Sequence, residues 1–246
     1  MPSSRPGLVH VESPSLTLRG TQMIYTNLAV IFDMDGVLVD SYQAHYVSWN
    51  RMLARHDLAM SEQEFASSFG RTSREILEDQ FGEHVKQSEI SEWDNRKEAD
   101  YRDILREDFP AMAGARELLG KLGEAGFHLA IGSSGPPANV QVVVEQLGCG
   151  ELFSAAVDGS QVTCGKPDPE VFLKAAGKLG IDPRNCAVVE DAPVGIAAAK
   201  RAGMTPIAIT GTAAREKLSA GAAIVVDSLT ELSPKRISEL IQQHRG

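Results

Sequence analysis

The run Asp33-Met34-Asp35-Gly36-Val37 carries two carboxylates two residues apart. On an extended segment, positions i and i+2 point to the same side. Gly36 allows the backbone to turn tightly just beyond them. Like charges held that close are costly unless a cation or a proton neutralises one of them. The pair therefore reads as a place for a metal ion or for acid–base chemistry. A DxD alone is common in surface turns. What singles this one out is the apolar run LAVIF at 28–32 directly before it, because ligands sit at the carboxyl ends of buried strands.

Three further polar groups follow apolar runs in the same way. Ser133-Ser134-Gly135 comes after HLAIG (128–132) and leads into Pro136-Pro137. Prolines suit the first turn of a helix, so this loop and helix start are expected to offer amides to an anion. Lys166 stands in Gly165-Lys166-Pro167-Asp168-Pro169, with Asp168 expected as N-cap and Pro169 as the first helical residue. Glu190-Asp191 closes AVVE (187–190), and Pro193 starts the next helix. Each has an ordinary explanation by itself: a turn, a solvated cation, a helix cap. Four such groups at one kind of sheet edge are much harder to assign to turns and caps alone.

The elements that must position them are legible as periodicity. LAVIF (28–32), HLAIG (128–132), AAVD (155–158), AVVE (187–190), PIAI (206–209) and AIVV (223–226) read as strands buried on both faces of a parallel sheet. Helical patterns lie between them at 113–122, 140–147, 170–179 and 194–202, and each is followed by a stopping glycine: Gly126, Gly148, Gly180 or Gly203. Alternation of this kind predicts an α/β fold, a doubly wound parallel sheet. Residues 42–112 break the rhythm. They are helical by pattern, so they are expected to form an inserted all-helical cap over the carboxyl edge. The expected division is an accessory N-terminal extension at 1–23, a core of 24–41 and 113–246, and the insertion at 42–112. From Arg74 to Asp108 twelve acidic side chains face six basic ones, a pattern expected of a solvated outer helical face.

Composition narrows the function classes. The chain has 246 residues, 43% hydrophobic and 23% charged, enough to bury a core without disulfides. No apolar run reaches the ~18 residues of a membrane span. A net charge of −9 disfavours a general affinity for nucleic acid or anionic membranes. Cys149, Cys164 and Cys186 form no CxxC pair. With no secretory segment near the start, they point to a cytoplasmic protein. No GxGxxG follows a strand and no GxxxxGK[ST] loop is present, so dinucleotide and P-loop nucleotide chemistry are poorly matched.

The motifs DMDGV, IGSSG, GKPDP and VVEDAPVGI, in this order over about residues 24–230, resemble those of the haloacid dehalogenase-like superfamily, in its branch with a helical cap after the first strand. The resemblance implies that Asp33 is a nucleophile and Asp35 the general acid/base, with Ser133, Ser134 and Lys166 binding phosphate. It further implies Mg²⁺ held by the Asp33 carboxylate, the Asp35 carbonyl and Asp191, with Glu190 adjacent. Carbon–halogen cleavage is disfavoured, because such members lack the second Asp. Phosphonate cleavage needs a cap lysine, and none occurs between Ser41 and Val85. Within the branch, His45, Arg74 and Lys97 resemble cap positions of β-phosphoglucomutases that contact the substrate, and Arg74 is the side chain best able to donate twice. Gly135-Pro136-Pro137 departs from the polar, lysine-containing stretch that holds a second phosphate in mutases. The expected activity is hydrolysis of a small phosphorylated metabolite, a sugar phosphate; the alternative is a hexose-phosphate mutase. A non-enzymatic phospholigand-binding module comes third. A monomer is compatible with the pattern.

Overall fold

The computed structural model describes residues 17–19, 22–68 and 72–245. The expected extension lies mostly outside the described residues. Its end is not featureless: β1 (Thr17–Arg19) and β2 (Gln22–Ile24) pair as an antiparallel hairpin. The first strand of the main sheet is β3 (Ala29–Phe32). Four helices follow: α1 (Tyr42–Leu53), α2 (Glu62–Ser68), α3 (Ser73–Gln80) and α4 (Ile90–Glu107). Then come α5 (Ala115–Glu124), β4 (His128–Gly132), α6 (Pro137–Leu147) and β5 (Phe153–Val157). The chain continues through α7 (Glu170–Leu179), β6 (Cys186–Glu190), α8 (Pro193–Arg201) and β7 (Thr205–Ile209). It ends with α9 (Arg215–Ser219), β8 (Ile224–Val226) and α10 (Pro234–His244).

All six main strands run parallel in the order β5-β4-β3-β6-β7-β8. The fold is therefore the doubly wound α/β sheet with a helical insertion that the periodicity predicts. The near-continuous apolarity of β3 has a direct cause. Val30 and Phe32 pack into one hydrophobic layer, with Leu118, Leu122 and Ile237, while Ala29 packs into the other, with Phe172 and Ala198. Both faces are covered, so no position of the strand is free to be polar. The insertion has a core of its own around Trp49, Met52, Phe65, Ile76, Leu77 and Trp93. Its two connections to the sheet run side by side: the Asp40 amide donates to the Pro110 carbonyl at 2.8 Å and the Met112 amide to the Leu38 carbonyl at 3.1 Å.

Chain direction across the sheet reverses at β3. From it the chain steps to β4 and β5 on one side, then crosses to β6, β7 and β8 on the other. At such a switch point the loops leaving neighbouring strands diverge and open a crevice at their carboxyl ends. The register pairs Phe32 with Val189, and the Asp33 amide donates to the Val189 carbonyl at 2.9 Å. Asp33 and Glu190-Asp191 are thus brought to the same crevice by strand pairing alone.

Two local expectations shift. Asp168 is not the N-cap of α7; Pro169 takes that position and the helix begins at Glu170. The Asp168 carboxylate still accepts the Glu170 amide at 2.9 Å, so the capping chemistry survives one residue out of step. The acidic surplus of 74–108 is only partly an outer face. Asp94 and Glu98 turn inward and Asp100 is buried, while most of the rest is exposed.

Candidate active site

Asp33, Glu190 and Asp191 each place a carboxylate oxygen within 4.8 Å of the others, and all three are buried. Lys166 Nζ lies 2.6 Å from Asp33 Oδ1 and 2.7 Å from Glu190 Oε1. The same ammonium lies over the Phe172 ring, 5.0 Å from its centre. The second Glu190 oxygen accepts the Ala192 amide at 2.6 Å. Thr212, in the loop after β7, donates its hydroxyl to Asp191 Oδ2.

Two glycines make this packing possible. Gly36 has φ +73°, and a β-carbon there would come 2.0 Å from Asp191 Oδ2. In α8, a β-carbon on Gly195 would come 1.7 Å from Glu190 Oε1. The conformation of the first and the space left by the second are both unavailable to a residue with a side chain.

Three carboxylates around one lysine leave an excess of negative charge. Burial raises the Asp33 carboxyl from its usual 3.8 to about 7, opposed by Lys166 and reinforced by Glu190 and Asp35. Burial also raises Asp191 strongly, with Glu190 and Asp33 adding to it and Thr212 opposing. The same two groups hold the Lys166 ammonium above its usual value against burial, through Asp33 first and Glu190 second. A cluster of oxygen donors that retains protons unless a cation arrives is a fit site for a hard divalent ion such as Mg²⁺. No His or Cys takes part, so nothing there selects zinc.

A pH dependence follows. In the metal-free chain, Asp33 holds a proton over the window from about pH 3.8 to about pH 7, where the unfolded chain has released it. The raised pKa therefore favours the fold at the acid side of that window, and the contribution is lost as pH rises through it. Bound Mg²⁺ must displace the proton, so the gain in melting temperature on adding Mg²⁺ should grow from about pH 5 to about pH 8. Thermal melts with EDTA and with Mg²⁺ measure it; a gain independent of pH would overturn the coupling.

Asp35 lies apart from the three-carboxylate group and faces the insertion. Its Oδ1 accepts the Tyr101 hydroxyl at 2.7 Å and lies 3.3 Å from His45 Nε2. The His45 ring stacks on Tyr101 with centroids 4.1 Å apart and planes 5° from parallel. Behind it, Lys97 Nζ lies 2.9 Å from His45 Nδ1. An ammonium can only donate, so Nδ1 accepts and Nε2 carries the hydrogen toward Asp35. Burial works to raise the Asp35 carboxyl, but hydrogen bonds from His45 and Tyr101 outweigh it and hold it at about 2. Asp35 is a carboxylate in this setting, ready to accept a proton.

The positions expected to bind phosphate are placed as follows. Ser133 is buried at the end of β4, and its Oγ accepts the Gly135 amide at 3.0 Å; Ser134 is exposed. A β-carbon on Gly135 would lie 3.3 Å from Ser133 Oγ and 4.0 Å from Asp35 Oδ2, so the loop and the DxD turn border one space. Of the three insertion residues singled out by sequence, His45 and Lys97 come to this edge. Arg74 is held elsewhere, 3.4 Å from both Glu78 Oε1 and Ser91 Oγ. Sequence reasoning missed Tyr101, Thr212, Glu98 and Asn139. Tyr101 lies four residues beyond Lys97, on the same helical face, and that spacing was the available signal.

The fold and these groups define an α/β enzyme with an acidic centre beside a lysine and a serine-bearing loop. A family profile for haloacid dehalogenase-like hydrolases matches residues 28–203, and the chain belongs to that family. It is 30% identical over 224 residues to the β-phosphoglucomutase of Bacillus subtilis, covering 88% of this chain and 96% of that one. It is 33% identical over 208 residues to the validoxylamine A 7'-phosphate phosphatase of Streptomyces hygroscopicus, covering 82% and 94%. A solved structure of a family IA, variant 3 hydrolase from Entamoeba histolytica superposes with a TM-score of 0.79 at 29% identity, covering 87% of this chain and 99% of that one.

Proposed function

We propose that the chain is a Mg²⁺-dependent phosphatase acting on a small phosphorylated metabolite with a sugar- or polyol-like body. Its core is formed by residues 24–41 and 113–246, and its cap by 42–112. One Asp33 oxygen attacks phosphorus while the ester P–O bond breaks, and the departing oxygen takes a proton from Asp35. Water then gives a proton to Asp35 and attacks the same phosphorus, releasing orthophosphate and restoring the Asp33 carboxylate. Ser133 and the amides near it donate to the phosphoryl oxygens, and Lys166 supplies a fixed positive charge. Asp33, Asp191 and the Asp35 carbonyl would hold Mg²⁺, with Glu190 beside them. When bound, the ion would neutralise charge on the phosphoryl oxygens and on the carboxylate that attacks phosphorus.

The acid step requires a protonated Asp35, whereas His45 and Tyr101 favour its carboxylate. Substrate entry must therefore displace one of these donors, so that the carboxyl meets the ester oxygen instead. This couples proton delivery to occupation of the site and keeps the base form ready for water.

The observation that favours hydrolysis is the loop leading into α6. Pro136 and Pro137 stand at its N-cap and first helical position and have no amide hydrogen to give. The loop keeps its donors for one phosphoryl group at Ser133 and provides few for a second. The mutase reading draws support from His45 and Lys97 beside Asp35 and from the relative in Bacillus subtilis. Incubation with Mg²⁺ and a panel of hexose and hexitol monophosphates, followed by NMR, separates the two. Stoichiometric orthophosphate from one of them is expected. Rapid conversion of β-glucose 1-phosphate to the 6-phosphate, with a trace of 1,6-bisphosphate and no orthophosphate, would overturn it.

A further inference from the structure

Three acidic side chains of α4 turn away from solvent, and Asp94 and Asp100 find their partners inside the insertion, Asp94 at Ser73. Asp100 is gripped by Arg55 through two bonds of 2.7 and 3.0 Å, with Arg96 at 3.5 Å. Glu98 is different, because its partners span the insertion and the sheet domain. Oε2 accepts the Asn139 side-chain amide at 2.6 Å, and Oε1 accepts Lys97 Nζ at 2.7 Å and Ser73 Oγ at 3.3 Å. Asn139 is 1% exposed and turns its other atom, Oδ1, to Arg102 at 2.9 Å.

The place of this contact matters. Asn139 is in the first turn of α6, which begins where the Ser133 loop ends. The positive end of that helix, next to the phosphate loop, thus already faces a carboxylate. Around it two cations are paired with carboxylates, Lys97 with Glu98 and Arg74 with Glu78, while Arg102 meets the neutral Asn139 carbonyl oxygen and keeps its charge. Asp94 adds a second carboxylate close to Lys97 and Glu98. A second phosphate would bring about two more negative charges into a region without surplus positive charge. A hydroxyl fits better. An ionised carboxylate has about four acceptor positions. Three are engaged at Glu98, which leaves one for a substrate hydroxyl.

We infer that Glu98, held across the gap by Asn139 and flanked by Lys97, is a specificity-determining residue that accepts a hydroxyl of an uncharged, polyhydroxylated substrate body and turns away substrates carrying a second phosphate. This rests on the reading that places the transferred phosphoryl group at Ser133 and Lys166.

The test is binding, made in an Asp33→Asn background so that nothing turns over. With Mg²⁺ present, calorimetry is run with orthophosphate, a hexose 6-phosphate and the matching 1,6-bisphosphate. The monophosphate should bind tighter than the bisphosphate by about tenfold or more. Glu98→Gln keeps the shape, and its one oxygen can still accept from Lys97 and Ser73, but it removes the charge and the acceptor facing Asn139, so the ratio should fall toward one while orthophosphate affinity stays the same. Glu98→Asp keeps the charge and should keep the discrimination. Equal affinities with Glu98 in place, or a ratio unmoved by Glu98→Gln, would overturn the inference; so would parallel loss of orthophosphate binding, which marks a structural role. Because the readout is binding, it stands apart from hydrolysis. Intact discrimination in a wild type that releases no phosphate would sink the phosphatase reading and leave this one standing.

Discussion

Asp33→Asn should remove turnover, by about four to six powers of ten, while leaving the fold at least as stable as before. The loss is large because an amide cannot form the covalent link to phosphorus, and no other carboxylate is placed to replace it. Glu190 is committed to Lys166 and the Ala192 amide, and Asp191 to the Thr212 hydroxyl. The stability follows from charge. Asp33 is a buried carboxyl held near pH 7 by burial and by its acidic neighbours, so replacing it with a neutral near-isostere removes a source of repulsion. Lys166 loses one partner at 2.6 Å but keeps Glu190 at 2.7 Å. Kinetics and a thermal melt on the same sample decide it. Turnover within tenfold of wild type would remove Asp33 as nucleophile, and a collapse of the melting temperature would make the kinetic loss uninformative about chemistry.

The second large effect belongs to Asp35 and differs in kind. Asp35→Asn should slow turnover by about 10²–10⁴, the usual worth of a positioned proton-transfer group. It should also divide the two half-reactions according to leaving group. A sugar alkoxide needs a proton as it departs, so formation of the aspartyl-phosphate becomes limiting and no intermediate builds up. p-Nitrophenolate leaves without one, so the first step survives and the second, which needs a base for water, becomes limiting. Phosphorylated Asp33 should then accumulate with p-nitrophenyl phosphate and show as a burst of about one nitrophenolate per chain. No burst, with both substrates slowed alike, would assign Asp35 a structural task and leave the proton chemistry to another group.

His45 and Tyr101 give this second prediction its physical basis. Both hold Asp35 as a carboxylate, and Lys97 sets the His45 tautomer that makes it a donor. Tyr101 is itself held protonated, since burial first and the Asp35 charge second push its hydroxyl well above the usual value. The hydrogen in that bond therefore stays on the phenol.

What the sequence by itself determined was the chemistry that sits on local elements. Strands buried on both faces are readable because their apolarity is continuous, and the turn after each strand is fixed in place by the strand before it. DMDGV, the Ser133 loop, Lys166 and Glu190-Asp191 could therefore be singled out one by one, together with a helical insertion between the first two strands of the sheet. Tertiary structure decided what those groups meet. The strand order puts β6 beside β3, and only that pairing brings Asp33 and Asp191, 158 residues apart in number, into one crevice. Partners supplied by other elements carry no local mark: Tyr101 reaches Asp35 over 66 residues, Asn139 reaches Glu98 over 41, and Thr212 reaches Asp191 over 21. Charge counting marked the acidic stretch of the insertion as a solvated face, yet which carboxylates turn inward depended on where α4 found Arg55, Lys97 and the start of α6. The resemblance to cap positions of β-phosphoglucomutases likewise proposed His45, Arg74 and Lys97 together. Packing of α1 against α4 brings Lys97 to His45, which meets Asp35, and leaves Arg74 with Glu78, because a helical period sets which side chains share a face and only the neighbouring element sets what that face touches.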